Sequence, residues 1–379
     1  MDFSLTEEQS MFQATVHDFA TRELEPVAAT VDETAEFPWD NYRKMAALGL
    51  TGLGFSEQYG GSGEDEIMVI IATEELAHAC AATSAIFLAG ISLACHPIYT
   101  CGTEAQKRRW IVPVARGEKI ACFGLTEPGA GSDVAALQTI AQRQGDSYIL
   151  NGNKVFITNG AEADIAVVFA TTDRALRHRG VVALVVEKGT HGFSVGKKEH
   201  KLGIRGSSTA ELVFQDCLVP AENRLGQEGD GFKIALAAID ASRVSVAAQA
   251  VGIAQAALDA SLSYARDRQQ FGKPIAEFQA IQWMLADMAT QIEAARLLTY
   301  KAGYLKNQGQ PFVKESAMAK VFAAEVAMWV TTRAIQVHGG YGYTKEYPVE
   351  RFFRDAKITE IYEGTSEMQR LTIARNLLK

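Results

Sequence analysis

Residues 336–370 read QVHGGYGYTKEYPVERFFRDAKITEIYEGTSEMQR. Two glycine-dense turns, Gly339-Gly340-Tyr341-Gly342 and Glu363-Gly364-Thr365-Ser366, bracket a segment of alternating charge and aromatic residues. Glycine supplies φ > 0 without a Cβ clash and lets the backbone pass close to a flat or phosphorylated ligand. Thr365 and Ser366 have the character of N-caps for a final helix, which sets the Glu363 carboxylate at the rim of a helix N-terminus rather than mid-face. On its own, E-G-T-S reads more simply as a surface turn with one solvated acid, because Gly and Ser clusters are ordinary loop punctuation.

The whole chain narrows the choice. Its 379 residues give room for two or three domains and a sizeable core. With 45 acidic against 37 basic side chains and a formal charge of −8, it lacks the footprint of a nucleic-acid binder or of a polybasic membrane anchor. The cysteines (Cys80, Cys95, Cys101, Cys122, Cys217) are odd in number and show no C-x-x-C spacing. They suggest neither a disulfide framework nor a zinc site, and are expected to be buried free thiols in a reducing cytosol, with no metal. The opening MDFSLTEEQS has neither a basic n-region nor an apolar h-region, so the start of a mature, cytoplasmic fold is expected. From Ala79 to Thr103 no Asp, Glu, Lys or Arg occurs. That length raises the question of a membrane span. The abundance of Ala, Ser, Thr, Gly and Cys, with His96-Pro97 as a break, predicts instead a helix buried inside protein.

Periodicity divides the chain into three. Residues 1–121 read as all-α: a T-x-x-Q capping box at Thr6 and Gln9 opens the first helix, and further helical patterns cover 39–49, 66–102 and 104–115. Residues 122–229 read as an antiparallel β domain, a small barrel. Strands are expected at 165–171, 181–186 and 209–219, with a hairpin turn at Asn151-Gly152. Residues 230–379 read as a helical bundle with helices near 231–266, 275–308 and 313–337 and a short one after Thr365. Phe278, Ile281, Leu285, Met288, Ile292 and Ala295 step by three and four along the second of these.

Four further segments join the tail in a shared pattern: CFGLTEPGAGSDVAA (122–136), NGNKVFITNG (151–160), KLGIRGSSTAELVF (201–214) and RDRQQFGKPIAEFQAIQ (266–282). In content, order and spacing the five resemble the acyl-CoA dehydrogenase family, and the whole chain looks most like its short-chain, butyryl-type branch. The resemblance implies an α–β–α fold ending in a four-helix bundle, FAD as cofactor, an acyl-CoA substrate, an electron-transfer flavoprotein as electron acceptor, and a homotetramer arranged as a dimer of dimers.

It also implies residue roles. Phe123, Leu125 and Thr126 would run along the isoalloxazine, and Gly131 and Ser132 would sit near the flavin and the thioester entrance. Phe156 and Thr158 would form a second wall; many relatives carry Trp where this chain has Phe156, so the stacking there is expected to differ. Arg268 and Phe271 would hold the pyrophosphate and adenine end of the FAD of a neighbouring subunit, which Gln336, Gly339 and Gly340 would also receive. Arg268 suits that role because its planar fork donates several hydrogen bonds to one anion. Asp240 and Arg243 would meet the CoA portion. Tyr362, Gly364 and Thr365 would lie near the thioester and the flavin, and Glu367 near the adenine end. The position that carries the catalytic acid in the isovaleryl and long-chain branches aligns with Ser242, leaving Glu363 as the base. His338 has no nucleophile beside it in sequence and is expected to be structural.

The implied reaction removes the α-proton and β-hydride of a saturated acyl-CoA. An acyl-CoA oxidase that uses oxygen, or a catalytically silent FAD-binding scaffold, are the competing readings; the first is usually longer, and the second would be expected to lose Glu363. The acyl pocket is expected to draw on residues 79–103 and the start of the 231–266 helix. Glutaryl-specific relatives place an arginine where this chain has Ser84.

Overall fold

The computed structural model describes residues 4–378, so Met1–Phe3 of the opening stretch lie outside the described residues. Seven helices come first: α1 (Glu7–Phe19), α2 (Ala28–Thr34), α3 (Trp39–Ala47), α4 (Glu66–Ala79), α5 (Ala81–Leu88), α6 (Cys95–Cys101) and α7 (Glu104–Ala115). The capping box at α1 is complete: the Gln9 N–H donates to Thr6 Oγ1 and the Thr6 N–H to Gln9 Oε1, both at 3.1 Å. Thr103 and Gln106 repeat it at α7.

The uncharged segment departs from expectation in where it breaks. Cys80, extended at φ −152°, separates α4 from α5, while α5 and α6 are joined through a π-helical turn, Ala89–Ala94. Pro97 falls in the first turn of α6, where the widened turn has already reset the hydrogen-bond ladder and a missing N–H does little harm. Both Ala81–Cys101 and a later helix, Gly231–Asp267, are long and apolar enough to cross a membrane by length and composition, yet most of each is buried against the rest of the protein. Cys80, Cys95, Cys122 and Cys217 are buried free thiols, whereas Cys101, at the end of α6, is exposed.

The middle stretch contributes β1 (Ala121–Gly124), β2 (Ile140–Gln144), β3 (Ser147–Thr158), β4 (Ile165–Thr171), β5 (Val181–Glu187), β6 (Phe193–Lys198), β7 (Thr209–Pro220) and β8 (Arg224–Leu225). They form one sheet in the order β6-β7-β3-β2-β4-β5-β8, with β1 pairing β4 in parallel. The ladder does not close into a hydrogen-bonded barrel. It ends at β6, exposed nearly throughout, and at β8, only two residues long, so neither edge offers a long partner. The expected hairpin at Asn151-Gly152 is not there either: both residues lie inside β3, and the chain reverses instead at Gly145-Asp146, between Gln144 and Ser147. Gly152 (φ +141°) marks a bulge against β7, and a Cβ on it would stand 2.6 Å from Thr139 Oγ1.

The last stretch holds α8 (Gly231–Asp267), the two-residue strands β9 (Gln269–Gln270) and β10 (Lys273–Pro274), α9 (Gln279–Asn307), α10 (Val313–His338), α11 (Val349–Ala356) and α12 (Ser366–Leu377). α9 starts later than its periodicity predicts because the β9–β10 hairpin and a 3₁₀ turn at Ile275–Glu277 use the preceding residues. Of the expected stripe, Met288, Ile292 and Ala295 are buried, and Phe278, Ile281 and Leu285 are partly so. Arg354 on α11 grips Asp32 on α2 through both terminal nitrogens (2.9 and 2.6 Å), tying the two ends of the chain together.

Buried residues of all three stretches form one continuous core. At the crossing of α4 and α8 the backbones approach closely: a Cβ on Gly252 would come within 2.2 Å of the Glu74 carbonyl oxygen. Backbone cannot yield there as a side chain can. Gly252→Ala is therefore expected to cost about 2 kcal/mol or more, within or above the usual range for overpacking. Chemical denaturation measures it, and an unchanged midpoint would mean that the two helices separate freely.

Candidate active site

Thr365 caps α12 by accepting the Met368 N–H at 3.4 Å, so the turn before it, Tyr362-Glu363-Gly364, is set at a helix N-terminus. Glu363 is left-handed (φ 54°), a conformation uncommon outside glycine. Its half-buried carboxylate accepts a hydrogen bond from Ser242 Oγ on α8, Oε2 lying 3.0 Å away. Burial raises the carboxyl above its ordinary pKa, against the opposing pull of the Ser242 hydroxyl and the charges of Lys320 and Arg243. Among the described residues the Glu363 N–H has no protein acceptor. The Ser242 hydroxyl thus bonds the carboxylate of the expected base.

Polar atoms gather around this turn. Arg243 is buried and bonded to Asp240 at 2.5 Å, and its Nε has no partner among the described residues; nor do the buried Ser366 Oγ and Gln369 Oε1. The Tyr362 hydroxyl donates to Gln249, whose amide donates in turn to the Ala81 carbonyl at 3.1 Å. Ser245 reaches Ser92 of the π-helical turn at 3.0 Å, so the uncharged segment and α8 are in contact. Glu367 is exposed on the first turn of α12. Sequence reasoning missed Gln249, Gln369 and Lys320; the last had a signal, a lone lysine within AMAKVFAA.

A second group lies on the sheet. Phe123 packs on Phe169 (ring centroids 4.8 Å apart), Leu125 is buried, and the Thr126 carbonyl accepts the Val155 N–H at 2.8 Å, which sets the 122–127 and 153–158 segments side by side. Behind them the wholly buried Lys154 bonds Glu127 at 2.6 Å and the Leu125 carbonyl at 3.2 Å. Burial pulls its ammonium down to about 8 even with Glu127 holding it up. Glu127 also accepts the Gln138 and Thr139 N–H groups, at 2.5 and 2.9 Å. In front, Phe156 stands 65% exposed at φ 60°, Thr158 pairs Thr209 in the sheet, and a Cβ on Gly129 or Gly131 would meet nothing within 4 Å. Ser132 is exposed beside them. The unobstructed glycines and the exposed Phe156 and Ser132 suit a flat ligand laid over the segment.

A third group is a cleft of about 530 Å³ lined by Arg268, Gly339 and Gly340 with Tyr264, Gln270 and His338. The Arg268 guanidinium lies 5.5 Å from the Tyr341 ring, and neither glycine has a neighbour where a Cβ would be. Gln336, exposed on α10, and Phe271, 94% exposed at the hairpin tip, lie outside the cleft lining. His338 stacks on Tyr264 at 4.3 Å with Nδ1 2.8 Å from the Ala334 carbonyl, and burial lowers its pKa, which supports a structural role. Arg268 follows Ser242 by 26 residues at the end of the same helix, roughly 39 Å at 1.5 Å per residue. The Glu363 cluster and the cleft are therefore separate within one chain.

The Lys154–Glu127 pair makes the sheet site testable by itself. Lys154→Met leaves a buried carboxylate without its cation and is expected to cost about 3 kcal/mol or more. Adding Glu127→Gln, which removes the charge and keeps an acceptor for one of the two N–H groups, should recover part of the loss in urea unfolding; a double variant no better than the single one would show that the pair is not coupled.

Comparison with known proteins agrees with this arrangement. The chain matches the acyl-CoA dehydrogenase N-terminal domain over residues 6–118, the middle domain over 122–217 and the C-terminal domain over 229–378. It is 52% identical to the short-chain specific acyl-CoA dehydrogenase of Clostridium acetobutylicum across 100% of both chains. The structure of butyryl-CoA dehydrogenase from Megasphaera elsdenii superposes with a TM-score of 0.98 at 50% identity, again over 100% of each. A chain from the structure described as "Electron transferring flavoprotein of Acidaminococcus fermentans: Towards a mechanism of flavin-based electron bifurcation" gives a TM-score of 0.99 at 51% identity and full coverage of both. The chain belongs to the acyl-CoA dehydrogenase family.

Proposed function

We propose that this protein is an FAD-dependent dehydrogenase of short-chain acyl-CoA thioesters, in which Glu363 takes the α-proton and the product is a trans-2-enoyl-CoA. The observation that carries the reading is the Glu363 carboxylate itself, raised above its ordinary pKa by burial and held at a helix N-terminus beside an N–H with no protein acceptor among the described residues. An acyl α-proton is far too weakly acidic for a carboxylate in water. Burial makes Glu363 a stronger base, and a hydrogen bond from its own N–H to the thioester oxygen would stabilise the enolate as charge develops there. Ser242 orients the acceptor oxygen. Arg243, with Nε unpaired and Asp240 steadying its other nitrogen, is suited to the CoA portion.

The residues present fit a flavin dinucleotide: the open glycines at 129 and 131, the outward Phe156, and a cleft with one arginine and two unobstructed glycines for the pyrophosphate end. Bound FAD would supply the hydride acceptor for the β-position. Roughly 39 Å of helix separates Ser242 from Arg268. Arg268, Gly339 and Gly340 would accordingly serve the FAD of a neighbouring subunit, which supports a homotetramer as the working unit. The similarity to a chain from an electron transferring flavoprotein structure supports such a flavoprotein as electron acceptor, and the bacterial relatives are consistent with a cytoplasmic setting.

Glu363→Gln is expected to retain FAD and acyl-CoA while nearly abolishing anaerobic bleaching of the flavin, because the amide keeps the shape but takes no proton. In the unaltered enzyme the group must be ionised to act, so bleaching should rise as pH climbs through the raised Glu363 pKa, an acid limb above 4.5. A variant that bleaches at the wild-type rate would move the base elsewhere; oxygen uptake on turnover would instead favour an oxidase.

The uncharged segment also bears on the acyl group. Ser84 is wholly buried and donates to the Thr73 carbonyl at 3.1 Å, so it brings no cation to a distal carboxylate. An unpaired buried charge costs several kcal/mol or forces protonation. kcat/KM is expected to favour butyryl-CoA over glutaryl-CoA by a wide margin, and comparable values would mean that a cation from another segment reaches the pocket.

A further inference from the structure

We propose that Lys320 is a positioning residue for this reaction: from α10 it fastens the left-handed turn that carries Glu363, and its ammonium is the buried counter-charge of that carboxylate. The proposal rests on Glu363 as the base.

A glutamate at φ 54° persists only where its surroundings over-determine it. Here two wholly buried side chains hold the carbonyls of the turn from beneath. Lys320 Nζ donates to the Gly364 oxygen at 2.7 Å, and Gln369 Nε2 donates to the Glu363 and Gly364 oxygens at 3.0 and 2.8 Å. Gly364 itself (φ +93°) holds a backbone conformation that favours glycine, and a Cβ there would stand 2.9 Å from Gln369 Nε2 and displace that amide. The turn is thereby gripped at two successive carbonyls, while the Glu363 N–H is left without a protein acceptor among the described residues.

Packing gives no reason for a lysine at this place. Its neighbours Ala317, Ala319, Val321, Ala323 and Ala324 are buried apolar residues, and among the described residues Lys320 makes no ion pair within 4 Å. A buried ammonium needs compensation from somewhere. The charged groups that act on it are the Glu363 carboxylate, Glu360 and Glu367, with Arg243 of α8 opposing. Glu363 in turn feels Lys320, Arg243 and the Ser242 hydroxyl. Burial pulls the Lys320 ammonium down to about 8, so it is still charged at neutral pH, when the base must be ionised.

The test uses the FAD-loaded enzyme and butyryl-CoA, with two readouts: the acid limb of anaerobic flavin bleaching, and amide hydrogen exchange across residues 361–368. Lys320→Met is expected to move the acid limb upward by about one pH unit, the size produced by losing one nearby opposite charge, and to speed exchange in the turn. Lys320→Arg should bring the limb back toward its original place. Gln369→Leu removes only the other half of the grip, and should speed exchange while leaving the limb where it was. Lys320→Gln, which keeps a donor without charge, should move the limb and serves where Lys320→Met does not fold. A wild-type limb in Lys320→Gln, or wild-type exchange in Lys320→Met, overturns the proposal. Glu363→Gln separates the two readings: an active Glu363→Gln enzyme removes the base, whereas an inactive one beside an unperturbed Lys320→Met removes only the role of the lysine.

Discussion

From Ala241 to Leu258, helix α8 is buried on almost every face, with only Gln255 partly open. A helix in that position has to be nearly free of polar groups, and each one it keeps must find a partner, because a buried polar group left alone costs on the order of 1–3 kcal/mol. The partners are informative. Ser242 finds Glu363, Arg243 finds Asp240, Ser245 finds Ser92, and Gln249 finds Tyr362 and the Ala81 carbonyl. The few polar residues that α8 retains thus reach the terminal turn and the π-helical turn of the uncharged segment. The close crossing with α4 at Gly252 holds the helix in place.

Electrostatics follow from the same burial. Lys154 and Lys320 both lie wholly inside the protein, and both are pulled down to about 8 by burial. Each bonds a backbone carbonyl of a segment proposed to serve the site, Leu125 in one case and Gly364 in the other. They differ in compensation. Lys154 has a direct carboxylate partner in Glu127 at 2.6 Å, whereas the charge of Lys320 is offset across space by groups that include the proposed base. A buried pair fixes a loop, while a buried lysine without one is coupled to the ionisation of whatever anion lies nearest.

Much of the organisation was legible from local pattern. The Thr6–Gln9 box, the Thr365 cap and the long helices of the C-terminal stretch depend on hydrogen bonds and apolar spacing within a few residues, and they appear where the sequence predicts them. Local rules failed where a distant neighbour overruled them. Asn151-Gly152 has the chemistry of a hairpin turn, but Thr139 and β7 hold it inside a continuous strand as a bulge. His96-Pro97 has the chemistry of a helix break, but a π-helical turn absorbs it.

By itself, then, the sequence determined the α–β–α order and the family resemblance, because these rest on residue identity and short-range spacing, and the resemblance in turn is the source of the proposal that Glu363 rather than Ser242 is the base. Tertiary structure alone decided that Ser242 bonds Glu363 across 121 residues, that Lys320 and Gln369 grip the turn from beneath, and that the cleft at Arg268 is separate from that turn within one chain. The reason is physical: a buried polar side chain is defined by the partner that desolvation forces on it, and no pattern along the chain names a partner on another helix.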